Sequence, residues 1–200
     1  MLPSLSPTST IAPAPFIDSL AVSDVAREHA GAARNLHDLL RLLGEKRLQV
    51  DAVRILLRAL PKRYAVAWAC ECFKGDAERE PLPPAEQQCL QSAEAWVAEG
   101  DERARQAAFA LAEAGNFDTA GAWLAAAAAF SSGSLTPPGY AAVEPADHLT
   151  ADACFAALCL LAAREPSAFG TRLGVWIDRA LAVFARSESA PSGGQGSVRP

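Results

Sequence analysis

Apolar side chains recur at the spacing of an α-helix along most of this chain, and no stretch alternates with period two for long enough to predict a strand. Leu36, Leu39, Leu40 and Leu43 occupy positions i, i+3, i+4 and i+7, and Gly44 suits the end of their helix. The pattern predicts an all-α fold. We expect a single compact bundle of about seven to eight helices, partly arranged as antiparallel hairpins.

Prolines mark where several of these helices begin. Pro61, Pro84 and Pro166 each precede a helical pattern, and a proline in the first turn loses no hydrogen bond. Thr150 is the predicted N-cap of a helix that ends at about residue 164, before Pro166.

A helical hairpin is predicted over residues 101–114 and 117–131. Gly115 suits the end of the first helix, and Asn116 or Asp118 suits the N-cap of the second. The second helix contains five consecutive alanines, which permit a close approach by its neighbours.

The two ends of the chain differ in composition from the middle. Residues 1–18 are rich in Pro, Ser and Thr, and residues 187–200 are rich in Ser, Gly and Pro. Neither segment has enough apolar surface to offset the entropy lost on ordering. We therefore expect a flexible N-terminal tail over 1–18, a helical domain over 19–186 and a disordered C-terminal tail over 187–200.

Charge and composition exclude some classes of protein. The net charge of −5 argues against a nucleic-acid-binding surface, which needs dense Lys and Arg. The longest uncharged stretch, 119–143, is interrupted by Gly133, Pro137 and Pro138, so no membrane span is expected. The first fifteen residues lack the features of a secretory signal, and five cysteines are an odd number for a disulfide framework. These observations predict a cytoplasmic protein.

No motif for a metal, a cofactor or catalysis is present. The predicted helix over about 61–74 is apolar around nearly its whole circumference from Tyr64 to Phe73, interrupted only by Glu71, which predicts a helix in the middle of the bundle. Cys70 and Cys72 lie two residues apart on it, so their side chains point in different directions and cannot bind one metal ion. We expect no cofactor and no enzymatic activity.

Charge is unevenly distributed along the chain. Between residues 41 and 63 there are seven basic and two acidic residues, whereas between 71 and 118 there are eleven acidic and four basic residues. Such polarity steers a partner of complementary charge. Arg47, Arg54 and Arg58 share one predicted helix face, opposite an apolar stripe that begins at Val50. The candidate partner-binding residues of this basic segment are Arg47, Arg54, Arg58 and Arg63.

A long Pro/Gly loop separates the alanine-rich helix from the last two helices. It covers about residues 132–148, above the usual helix-to-helix length of about 2 to 8 residues. Loops on rigid scaffolds often carry recognition, so this segment is a second candidate site. Its candidate partner-binding residues are Ser131, Ser134, Leu135, Pro137, Pro138 and Tyr140.

Two segments, "LPKRYAVAWACECF" and "AAAAAFSSGSLTPPGYAAVEPADHLTADACFAALCLLAA", resemble a poorly characterised family of small all-helical proteobacterial proteins associated with type VI secretion gene clusters. The resemblance spans roughly residues 55–165. It implies an accessory protein without a cofactor, which helps an effector and its chaperone to reach the secretion spike.

The leading hypothesis is a non-enzymatic protein-binding adaptor or co-chaperone, with a secretion effector chaperone or an effector as its partner. One alternative is an enzyme or a toxin-neutralising factor that uses the 131–148 loop with Asp147 and His148. A second alternative is a self-associating structural protein, a homodimer in which the alanine-rich helix packs against its own copy.

Overall fold

Helices account for nearly all the regular structure. A computed structural model describes residues 17–136 and 139–189, without the side chains of 185–189. Over this part of the chain there are nine α-helices and no strand, which confirms the all-α fold. The helices are α1 Asp24–Ala32, α2 Leu36–Glu45, α3 Gln49–Ala59, α4 Lys62–Ala77, α5 Pro84–Glu99, α6 Glu102–Ala114, α7 Ala120–Ala129, α8 Leu149–Ala163 and α9 Phe169–Ser189, the last preceded by a 3₁₀ turn, Pro166–Ala168.

The described helical segment is longer than predicted. Helix α1 is the additional helix, and its buried residues are only Ala26 and Ala30, which are too small to form a clear apolar stripe. Ile17, placed by the sequence in the N-terminal tail, is buried. Helix α9 continues to Ser189, inside the predicted C-terminal tail. The remainder of both predicted tails, residues 1–16 and 190–200, lies outside the described residues.

Two predicted N-caps are wrong. Thr119, not Asn116 or Asp118, caps α7 by accepting a hydrogen bond from the backbone N–H of Ala122. Asn116 adopts a left-handed conformation, with φ 49°, within the turn that precedes this cap. Thr150 lies inside the first turn of α8 and is fully buried, so it cannot act as the cap. Pro84 does begin α5 as predicted.

Helix α7 forms the centre of the molecule. Of its 10 residues only Trp123 is not fully buried, and α5, α6 and α8 pack around it. A Cβ atom added at Gly121 would lie 2.8 Å from Cα of Glu86 in α5, so the two backbones are in close contact. This approach requires the small side chains of the alanine run. The sequence placed α4 in the middle instead, but Tyr64 and Trp68 of α4 are only half-buried.

Helix α9 completes the bundle on the other side, where it packs against α2, α3 and α8. Among the described helices, none is by itself long and apolar enough to cross a membrane. The pair Leu149–Ala163 and Pro166–Phe184 meets that criterion only when joined across a bend of 116°.

A glycine-to-alanine pair tests the close packing of α7. We expect Gly121→Ala to destabilise the protein by about 1–3 kcal/mol, because the new methyl group overlaps the α5 backbone. Gly31→Ala, in a helix where no atom lies within 4 Å of the new methyl group, should instead stabilise by about 0.5–1 kcal/mol. Urea unfolding measures both changes. Equal effects of the two substitutions would contradict the packing of α7 on α5.

Candidate protein-binding site

A buried arginine of α6 anchors the loop between α7 and α8. The Arg105 side chain is only 4% exposed, and its Nη1 donates a hydrogen bond of 2.9 Å to the carbonyl oxygen of Ala129. Its Nη2 donates to the carbonyl oxygen of Ser134 at 3.3 Å. Both Glu102 carboxylate oxygens lie 2.6 Å from this guanidinium, which lowers the pKa of Glu102. The guanidinium therefore joins the end of α7, the loop and α6.

The loop also closes on itself through its own polar groups. The Ser134 hydroxyl accepts hydrogen bonds from the backbone N–H groups of Thr136 and Val143, at 3.1 Å and 3.2 Å. The N–H of Leu135 donates to the carbonyl oxygen of Val143 at 2.9 Å. Gly133 has a φ of 70°, and a Cβ atom there would lie 2.7 Å from Nε of Arg105. Only a glycine fits between the loop and its anchor.

The closed loop presents an aromatic side chain to solvent. Tyr140 is 75% exposed and Val143 is 49% exposed, whereas Leu135 is half-buried. The Ser131 side chain is buried, and its hydroxyl donates to the carbonyl oxygen of Ala128 at 2.6 Å. Pro137 and Pro138 lie outside the described residues.

The predicted common face of the arginines is not formed. Arg47 lies in the turn before α3, with a φ of 60°, and Val50 is 41% exposed instead of buried. The guanidinium of Arg54 lies over the ring of Phe155, 3.8 Å from its centroid, so this arginine packs against α8. Helix α3 is buried on more than one side because it packs between α8 and α9. A one-sided helix pattern therefore misassigns its exposed face.

The other two candidate arginines, Arg58 and Arg63, also differ from each other. Arg63 donates to the carbonyl oxygens of Val97 and Ala98 at 2.7 Å and 2.8 Å, at the end of α5. A cation in this position stabilises the negative end of the helix dipole. Arg58 is half-buried and makes no ion pair among the described residues. Of the four candidate arginines, only Arg47 and Arg58 thus have no side-chain partner in the described part of the chain.

The titratable and nucleophilic groups of the loop lie apart. Asp147 pairs with Lys62 at 3.2 Å, and His148 is exposed at the N-cap of α8. Neither Ser131 nor Ser134 hydrogen-bonds to His148 in the described part of the chain. Within the same part, no three His, Cys, Asp or Glu side chains could hold a metal ion. Burial raises the pKa of all five cysteine thiols, that of Cys159 to about 11.

Sequence reasoning missed an apolar groove between α4 and α9. The groove has a volume of about 400 Å³, and four of its lining residues are aromatic. Its residues are Leu60, Tyr64, Trp68, Glu71, Cys72, Trp176, Arg179, Ala180, Ala182, Val183 and Phe184. The continuous apolar character of segment 61–74 was the available signal, because an apolar helix that is not central must expose part of that surface.

Two arginines of α9 reach across to α4 beside this groove. Arg172 and Asp76 form a buried ion pair, with side chains 4% and 3% exposed. Two turns further along α9, the guanidinium of Arg179 lies against Gly75 and leaves no room there for a Cβ atom. Both contacts involve the C-terminal part of α4, at Asp76 and Gly75. Leu60 and Tyr64 line the groove near the start of α4.

Comparison with known proteins places the chain in a family. A family model described as a family of unknown function, DUF6931, matches residues 39–184. The chain belongs to this family. The DUF6931 match extends from within α2 to within α9, so it includes the anchored loop and both walls of the groove. No curated protein and no solved structure matches the chain.

Replacement of the anchor should loosen the loop selectively. We expect Arg105→Met to destabilise the protein by about 1–3 kcal/mol, because the carbonyl oxygens of Ala129 and Ser134 lose their donor. Amide hydrogen exchange should accelerate at Leu135 and Val143, whose N–H groups close the loop. Arg103→Met, at an exposed position of the same helix, is the control and should change neither measurement. Unchanged exchange in Arg105→Met would contradict the anchoring role.

The buried ion pair between Arg172 and Asp76 should affect the free energy of unfolding differently from an exposed pair. Asp76→Leu should cost about 3–5 kcal/mol, because Arg172 remains buried without a counter-charge. The double variant with Arg172→Met should recover most of that loss, since Oδ2 of Asp76 and Nε of Arg172 already lack hydrogen-bond partners in the described structure. Chemical denaturation measures both. Arg79→Met, which breaks an exposed pair with Glu165, should cost less than about 1 kcal/mol.

Proposed function

We propose that the protein is a non-enzymatic protein-binding adaptor or co-chaperone in the cytoplasm, whose partner is an effector chaperone or an effector of type VI secretion. The observation that carries the binding role is the loop anchored by Arg105, which presents Tyr140 with 75% of its surface exposed. The secretion context rests on the resemblance of the two segments given above.

The loop has the properties of a preorganised recognition element. Ser134 and Arg105 hold its backbone, so binding would immobilise little additional chain. Tyrosine contributes strongly to protein interfaces, because a rigid apolar ring and a polar hydroxyl act together. An exposed tyrosine on an ordered loop therefore supports a binding role for this surface.

The charge around the loop indicates the partner's surface. Helix α6, which carries the anchor, exposes the side chain of Glu113, and the exposed Asp101 precedes it, whereas Glu102 is paired with Arg105. The segment from residue 71 to residue 118 has seven more acidic than basic residues. A partner with an apolar pocket surrounded by Lys and Arg fits this surface, and its association rate should fall as salt is added.

A binding assay tests the proposal. The full chain is purified with each effector chaperone and effector encoded in the same gene cluster, and the affinity of a complex is measured by calorimetry. Tyr140→Ala should weaken binding by about 30-fold or more, because it removes a central aromatic contact. Its unfolding temperature should not change, since the ring is exposed. Val25→Ala, at a position 48% exposed on α1, is the matched control and should bind normally.

Three results would contradict the proposal. The first is the absence of a complex with any of these proteins, and the second is equal binding by Tyr140→Ala and the wild type. The third is loss of binding only in Arg47→Glu or Arg58→Glu, which would place the contact on the basic segment instead of the loop.

A further inference from the structure

The groove between α4 and α9 is a second surface, built from different helices than the anchored loop. Its floor is buried, since Trp176 and Phe184 are 4% and 3% exposed. Its rim is accessible, because Tyr64 and Trp68 are half-buried and Ala182 is exposed. The volume of about 400 Å³ lies within the range of about 300–1,000 Å³ that is typical of binding pockets.

The walls restrict the conformation of an occupant. Both walls are α-helices, whose backbone groups are already paired within each helix. Among the lining side chains, hydrogen-bonding groups are few and belong mainly to Tyr64, Trp68, Glu71 and Arg179. An extended peptide would bury unpaired backbone N–H and C=O groups here, at a cost of about 1–3 kcal/mol each. A helix avoids this cost because it satisfies its own backbone.

The length of the groove sets the size of the occupant. Each wall, from Tyr64 to Cys72 and from Trp176 to Phe184, contains nine residues, whose eight steps of 1.5 Å give a length of about 12 Å. This length matches slightly more than two turns of a helix. Such a helix would insert apolar side chains from positions i, i+3 or i+4, and i+7.

Charge determines which helix fits. Glu71 is neutralised by Lys74 at 2.6 Å, and the same lysine also contacts Glu94 at 3.0 Å. Arg179 makes no ion pair in the described part of the chain, and its guanidinium lies against Gly75, at the end of the groove nearest the C-terminus of α4. A carboxylate on the occupant would therefore find an unpaired cation at this end.

We propose that the groove binds an amphipathic α-helix of a partner protein. The apolar face of that helix covers Trp68 and Trp176, and an Asp or Glu at one end of it pairs with Arg179. This site gives the adaptor a second contact surface. Tyr140 does not line the groove, so the proposal does not depend on the loop. We therefore expect Tyr140→Ala to bind the same helices as the wild type.

A peptide selection tests this site directly. The probe is a library of alanine-rich helical peptides of about 18 residues, randomised at positions i, i+3, i+4 and i+7 and at one flanking position. The purified full chain is the bait, and the affinity of each selected peptide is measured by fluorescence polarisation. Selected peptides should carry large apolar residues at the four positions and Asp or Glu at the flank. Their helicity should increase on binding.

Three variants locate the binding surface. Ala182→Glu places a charge in the groove at an exposed position and should weaken binding about tenfold or more. Val175→Glu adds the same charge on the same helix, at a position that is 43% exposed and outside the groove, and should leave binding unchanged. Arg179→Glu should weaken binding of the acidic peptides, and Lys at the flanking position should restore it.

Other occupants give different results, and each would overturn the proposal. Failure to select any peptide that distinguishes the wild type from Ala182→Glu would exclude a helix-binding groove. Selection of proline at the randomised positions, or binding without an increase in helicity, would indicate another binding mode. A concentration-dependent dimer that Ala182→Glu abolishes would identify a second copy as the occupant. A gain of about tenfold in affinity for the selected peptides on deletion of residues 1–16 would identify the chain's own N-terminal segment as the occupant of the groove.

Discussion

The close approach of α7 to its neighbours is the constraint on which the rest of the structure depends. Gly121 allows the backbone of α5 to reach the first turn of α7, and α6 and α8 pack against the alanine run. A helix with such small side chains gains little apolar area per residue, so its contribution comes from dense contacts on every side. The larger side chains of α4 and α9 are consequently arranged around this centre, where some of them are left uncovered.

Two buried arginines connect this centre to the candidate surfaces. Arg105 satisfies the carbonyl oxygen at the end of α7 and holds the loop that follows it. Arg172 pairs with Asp76 and joins α9 to α4 beside the groove. Both arginine side chains are buried, so the loss of either one's partner would cost free energy of folding. The position of each guanidinium is therefore well defined. The order of the loop and the width of the groove thus depend on electrostatic contacts as well as on apolar packing.

The candidate site was predictable only in part. The loop was identifiable because Gly and Pro interrupt a helical pattern for longer than a simple connection needs. Its exposed Tyr140 was among the predicted residues, but the buried position of Ser131 was not apparent, because burial depends on the neighbouring helix end. The arginines of the basic segment were assigned to one face from helix geometry alone. That assignment failed because Arg47 precedes α3 and Arg54 packs on Phe155 of a distant helix.

The sequence by itself determined the helical class, the start of α5 at Pro84, the alanine-rich helix and the position of the long loop. These features follow from local rules of periodicity, backbone hydrogen bonding and side-chain size, which act within a few residues. Only the tertiary structure decided which apolar helix lies at the centre, which arginines make contacts within the protein and where a groove remains. The stretch of α4 from Tyr64 to Phe73 and the whole of α7 are apolar around nearly their full circumference, and the smaller side chains of α7 allow it to be surrounded by other helices. The bulky Tyr64 and Trp68 of α4 instead remain at the surface, beside α9.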